Sequence, residues 1–281
     1  MTDILRDTLR SFRSSPIFAF YVLASLVVAV IIGLITFDII NLGMAHFGDP
    51  AHRTHDVAYG ALFTTAVVGV LAQLRRPAKN VAGMVMALIP AGGLLLAAVL
   101  SGDMNIVQRN PLRYAAWVIV AAALLHPAGR GFFRSFRVTR VNSVMLALVG
   151  AAAVPLLGLA ATNVRLQRTV TDAHASMGHF GFMAAFSYTV IAVGVLASLR
   201  PVGWRLTAWV AGLLSCLLAA TSLLYPDATS SLATAWALAA TVWGVAFVAA
   251  AELTNVSAVP RVGSPDSASK TERLAETRGS R

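Results

Sequence analysis

The chain has 281 residues, 57% of them hydrophobic and 12% charged, with a formal net charge of +10 and a mean hydropathy of +0.73. That balance is too apolar and too poor in charge for an ordinary soluble domain, which excludes that class. The basic residues are spread by loop rather than clustered with aromatic residues on one face, so no nucleic-acid partner is expected.

In chain order, residues 1–15 come first, with Leu5, Leu9 and Phe12 at helical spacing and arginines between them. That pattern suits a short amphipathic helix in the cytoplasmic interface. A membrane span needs about 20 apolar residues to cross about 30 Å of hydrocarbon. Eight stretches read as spans: 16–42, 57–74, 80–100, 112–126, 141–162, 179–199, 205–224 and 231–253, the fourth being the shortest. The first is too long for a signal-peptide core and no small-x-small cleavage site follows it, so it is expected to stay as an anchor. The tail, residues 254–281, is rich in Ser, Pro and charge and is expected to be disordered. The single cysteine, Cys216, falls in the seventh span, so no disulfide framework exists.

Lys and Arg alternate with the spans. Seventeen fall before span 1, after spans 2, 4 and 6 and after span 8, against five (Arg53, Arg109, Arg113, Arg165 and Arg168) in the loops on the other side. The positive-inside rule then places both termini in the cytoplasm. Anionic lipid headgroups are the expected partners of the basic loops. Runs of small residues such as Ala91-Gly92-Gly93 permit close helix approach and a homodimer or larger membrane complex.

The chain also repeats itself. FTTAVVGVLAQLR (63–75) aligns with YTVIAVGVLASLR (188–200) at eight of thirteen positions, and Asp49-Pro50-Ala51-His52 precedes the first block as Asp172-Ala173-His174 precedes the second. His55 answers loosely to His179, and Asp103 to Asp227. Four spans per half imply parallel repeats related by an axis along the membrane normal, so that equivalent residues share a depth. The expected fold is an all-α, polytopic membrane bundle of about eight helices, with repeat one over 16–126 and repeat two over 141–253.

Five of the six histidines (His46, His52, His55, His174 and His179) gather in the loops before spans 2 and 6 or at the mouths of those spans, on the extracytoplasmic side by the charge count. Neutral imidazole is a common metal ligand, and histidines beside carboxylates suit zinc, copper or iron. The candidate ligands are Asp49, His52, His55, Asp172, His174, Met177 and His179; the thioether of Met177, between two histidines in HASMGH, favours copper. The competing reading is that these polar residues cap helix starts.

His55 on span 2 and His179 on span 6 also form the natural pair for a b-type haem. Two four-helix halves with a histidine on the second helix of each resemble haem A synthase in architecture, although that family's other motifs are absent here. A third reading is a metal-dependent hydrolase acting on lipid, assisted by Ser101 and Asp103, without a zincin or lipase motif to support it. A small-solute transporter or a scaffold subunit without a cofactor completes the alternatives.

Overall fold

The computed structural model of the protein describes residues 16–44, 52–108, 110, 112–129 and 141–256, the side chains of 31–44 and 255–256 excepted. Helices α1 (Pro16–Met44), α2 (Arg53–Arg75) and α3 (Val81–Ser101) come first. The short α4 (Asn105–Gln108), α5 (Leu112–Leu124) and α6 (Ser143–Thr169) follow. The one-turn α7 (Ala173–Met177), α8 (His179–Ser198), α9 (Trp204–Leu224) and α10 (Thr234–Val256) complete the chain. No strand occurs among the described residues.

Six of these helices, α2, α3, α6, α8, α9 and α10, are long and apolar enough to cross a bilayer, the mark of a multi-pass membrane protein. The predicted fourth span forms a helix of 13 residues, Leu112–Leu124, which rises only about 20 Å. Pro127, three residues past its last turn, cannot extend the helix. The predicted first span is helical from Pro16 to Met44; its second half, with Asp38, lies among the residues whose side chains are not described. The segments 1–15 and 45–51, the latter with His46 and Asp49, and the tail from 257 also lie outside the described residues.

Helix α8 is the central post. Sixteen of its residues are buried, among them Phe180, Phe186, Val190 and Val193, and it packs against α6, α3, α9 and α2. A helix apolar on all sides belongs in the middle of a bundle. Helices α2 and α8 run parallel: His55 faces His179 at 5.2 Å between ring centroids, and one turn on Tyr59 faces Phe182 at 4.8 Å. At their far ends the segments that follow them also meet, the N–H of Ala82 in the first turn of α3 donating to the Val202 carbonyl at 2.9 Å. Gly203 permits this contact: its φ is +90°, and a side chain there would stand 2.8 Å from the Asn80 Cα.

Helix α6 extends seven residues past the apolar stretch predicted from the sequence, through Asn163-Val164-Arg165-Leu166-Gln167-Arg168-Thr169. Ala160, Asn163 and Gln167 are buried at helical spacing. The extension therefore carries polar side chains past the apolar part of the bundle and onto the histidine end of α8.

Candidate metal centre

The local sequence brings four imidazoles to one point. His52 is the residue before α2 and His55 lies in its first turn. His174 sits in α7, and His179 opens α8 after Gly178, whose φ of +79° ends one helix and starts the next. That left-handed turn is open to glycine at no steric cost, and it lets the chain double back so that His174 and His179 face the start of α2.

The groups separated by more than a hundred residues are in direct contact. His52 and His174 stack at 4.2 Å between centroids. His52 meets His179 edge-on at 5.0 Å, with Nδ1 to Nδ1 at 3.2 Å. His55 lies 5.3 Å from His174 and 5.2 Å from His179. One ring nitrogen from each of His52, His174 and His179 lies within 4.8 Å of the others. His52, His55 and His179 are buried, and His174 is partly so.

Hydrogen bonds fix the tautomer of His55. The Asn163 side chain donates from Nδ2 to the Leu159 carbonyl, so its Oδ1 is an acceptor, and Ser230 donates its hydroxyl proton to that oxygen at 2.7 Å. A serine has one proton to give. The 3.1 Å contact between Ser230 Oγ and His55 Nε2 must therefore be a donation from His55, leaving a lone pair on Nδ1. Among the described residues that Nδ1 is buried without a hydrogen-bond partner, as is Nε2 of His174. Buried polar nitrogens without partners are uncommon and call for an explanation. Ser230 adopts a φ of +68°, a left-handed conformation that non-glycine residues seldom take and that collects at functional sites.

His174 has a positioning partner of its own. Asp172 caps α7, its Oδ1 accepting from the Ala175 N–H at 2.9 Å, while Oδ2 lies 3.5 Å from His174 Nδ1. A carboxylate beside one ring nitrogen with the other left open is the outer-shell arrangement of metal-bound histidine. Gln167 then clamps the element: it donates to the Ala175 carbonyl and to Asp103, and accepts from the Gly181 N–H.

The sequence-predicted residues thus divide. His52, His55, His174 and His179 form the cluster. Asp172 serves as cap and orienting carboxylate. Met177, at the end of α7, is 47% exposed. Asp49 lies outside the described residues. The paired rings of His55 and His179 have His52 and His174 against them as well, so a porphyrin could enter between them only by displacing those two. Asp103 accepts from the Asn105 N–H and from Gln167, and Ser101 donates to the Ala98 carbonyl; both are occupied in structure. The sixth histidine, His126, is buried with Nε2 3.1 Å from Gln73 Oε1 and Nδ1 accepting from the Ala128 N–H. Gln73 is 18 residues beyond His55 on α2, about 27 Å along the helix.

Sequence reasoning did not find Asn163, Gln167, Ser230 or Thr54, whose hydroxyl pairs with Ser231 at 2.8 Å. The one signal available was the polar i, i+4 pair Asn163 and Gln167 continuing the helical period past an apolar span. No protein-family model, no curated protein and no solved structure matches this chain, so the reading of the centre rests on its own geometry.

Proposed function

We propose that the imidazole cluster is a transition-metal centre of a multi-pass membrane protein, with His52, His174 and His179 as core ligands and His55 adjoining them, serving metal handling or redox support. The observation that carries this reading is the pair of ring nitrogens on His55 and His174 that are buried without a hydrogen-bond partner among the described residues, beside a trio, His52, His174 and His179, that each offer a nitrogen within 4.8 Å of the others. Two nitrogens at 2.0–2.1 Å from a tetrahedral ion stand about 3.3 Å apart; the Nδ1 atoms of His52 and His179 are 3.2 Å apart. One ring nitrogen of His174 lies within 4.8 Å of one from each of the other two, and because that ring stacks on His52 it would turn for its lone pair to reach the same ion. An all-imidazole set suits zinc, copper or iron, and its outer partners, Asp172 and Ser230, are already in place.

The proposed topology has eight crossings as two parallel repeats, with both termini in the cytoplasm and the centre on the opposite face. The Lys and Arg bias supports it, as does the parallel pairing of α2 with α8. In this scheme anionic headgroups meet the basic loops, α1 and α5 complete the first half, and the bilayer thins locally around α5 to match its 13 residues.

The test is metal analysis of detergent-purified protein for zinc, copper and iron, with an absorption spectrum, beside the double variant His52→Ala, His174→Ala. Near-stoichiometric metal that the variant loses is the expected result. A colourless protein that stays metal-free after reconstitution with each ion would overturn the reading.

A further inference from the structure

Next to the histidines the bundle opens into a cavity of about 480 Å³ between α6, α8, α9 and α10. Its long axis follows the helices. Along α6 it runs from Ala151 to Thr162, and along α10 and the residues before it from Ser231 to Trp243, a length of roughly 15 Å at 1.5 Å per helical residue. The walls are aliphatic and aromatic, and the hydroxyls of Thr162 and Ser231 mark one end. Trp243 closes the other, its indole N–H donating to the Leu148 carbonyl at 2.7 Å.

The polar end is tied to the centre. Ser231 donates to the Tyr225 carbonyl and accepts from Thr54 at 2.8 Å, in the turn of α2 that also carries His55. Its neighbour Ser230 holds His55 Nε2, and Thr162 precedes the Asn163 that holds Ser230. The walls on α6 and α10 belong to helices apolar enough to stand in lipid. A long, apolar space within the bilayer, with two hydroxyls at one end and the Ser215 hydroxyl tied to the Ala240 carbonyl part-way along the wall, matches a single hydrocarbon chain rather than a compact solute.

We propose that this cavity holds one acyl chain of a membrane lipid, methyl end toward Trp243 and polar end at Ser231, so that the substrate class presented to the histidine centre is a lipid. The link to the centre rests on the metal reading above; occupation of the cavity does not. The proposal also gives a reason for the glycine at 158: it lines the cavity, and an added side chain there would meet nothing within 4 Å.

The test uses the full chain, delipidated in detergent, and two 16-carbon fatty acids, one carrying a diazirine near the carboxyl group and one near the methyl end. After photolysis, mass spectrometry locates the adducts. The expected result is labelling that unlabelled palmitate competes away, near Thr162 and Ser231 with the first probe and near Ala151 and Trp243 with the second. Gly158→Leu fills the cavity and abolishes labelling. Gly150→Leu, on the same helix and also facing open space but outside the cavity, leaves it intact. Ala239→Leu, from α10, serves as a second filling variant should Gly158→Leu fail to purify as a folded species. Labelling that survives both filling variants, or that appears in reversed order along α6, overturns the proposal. Zinc titration of the same proteins separates the two readings. Zinc binding with cavity-independent labelling removes the acyl-chain site alone, and cavity-dependent labelling without zinc binding leaves that site standing and removes the metal centre.

Discussion

His52 and His179 are 127 residues apart in the chain, and their Nδ1 atoms stand 3.2 Å from each other at the starts of two parallel helices. Two ring nitrogens at that distance share either a proton or an ion. Replacing His179 with Ala should therefore weaken zinc binding by more than the roughly 10–100-fold that losing an outer-shell partner costs. Competition titration against a chromophoric chelator measures this directly. An unchanged affinity would place the ion elsewhere.

Asp172 separates orientation from folding. Asn caps a helix about as well as Asp, so Asp172→Asn keeps the bond to the Ala175 N–H and removes the charge beside His174 Nδ1. Zinc affinity should fall by about 10–100-fold with the unfolding temperature unchanged. A parallel loss of both would mark Asp172 as a cap alone.

Ser230 is best tested with glycine, because its φ of +68° suits glycine without strain. Ser230→Gly removes only the hydroxyl that joins His55 to Asn163. Leaving a buried donor unpaired costs about 1–3 kcal/mol, and freeing the His55 tautomer should lower metal affinity as well. Chemical denaturation and zinc titration read the two effects separately.

Proton and metal compete for the same nitrogens, and metal binding releases protons. Zinc affinity should therefore fall as the pH is lowered, with protons released on binding. Isothermal titration in buffers of different ionisation enthalpy counts them. Zinc at 100 times its dissociation constant should add about 2.7 kcal/mol to stability, and chelation should remove that increment.

Away from the centre, α9 and α10 cross through two glycines. A Cβ at Gly212 would lie 2.7 Å from the Gly244 carbonyl oxygen, and one at Gly244 would lie 2.6 Å from that of Gly212. Backbones this close leave no space to yield. Gly244→Leu should destabilise the protein by at least the 1–3 kcal/mol typical of overpacking, seen as a lowered unfolding temperature in detergent. A neutral result would mean that the two helices separate at little cost.

Much of this was legible in the sequence, because lipid leaves few choices. A span must be long, apolar and helical, so the positions of α2, α3, α6, α8, α9 and α10 follow from hydropathy alone, and the paired order of Asp and His marked both ends of the centre. The sequence could not show that α5 stops at Leu124, since an apolar run does not reveal where packing and Pro127 end a helix. Nor could it assign roles within the cluster. Asp172, His174 and Met177 are close neighbours in the chain, yet one caps, one joins the other imidazoles and one faces outward. Which of these occurs depends on the rotation of a one-turn helix, set by Gly178 and by Gln167 reaching over from α6. The contact of His52 with His179, the tautomer imposed on His55 by Ser230 and Asn163, and the cavity beside Ser231 join segments 67 to 177 residues apart. Local pattern determines which residues enter the membrane; only the packing of distant helices decides which of them meet.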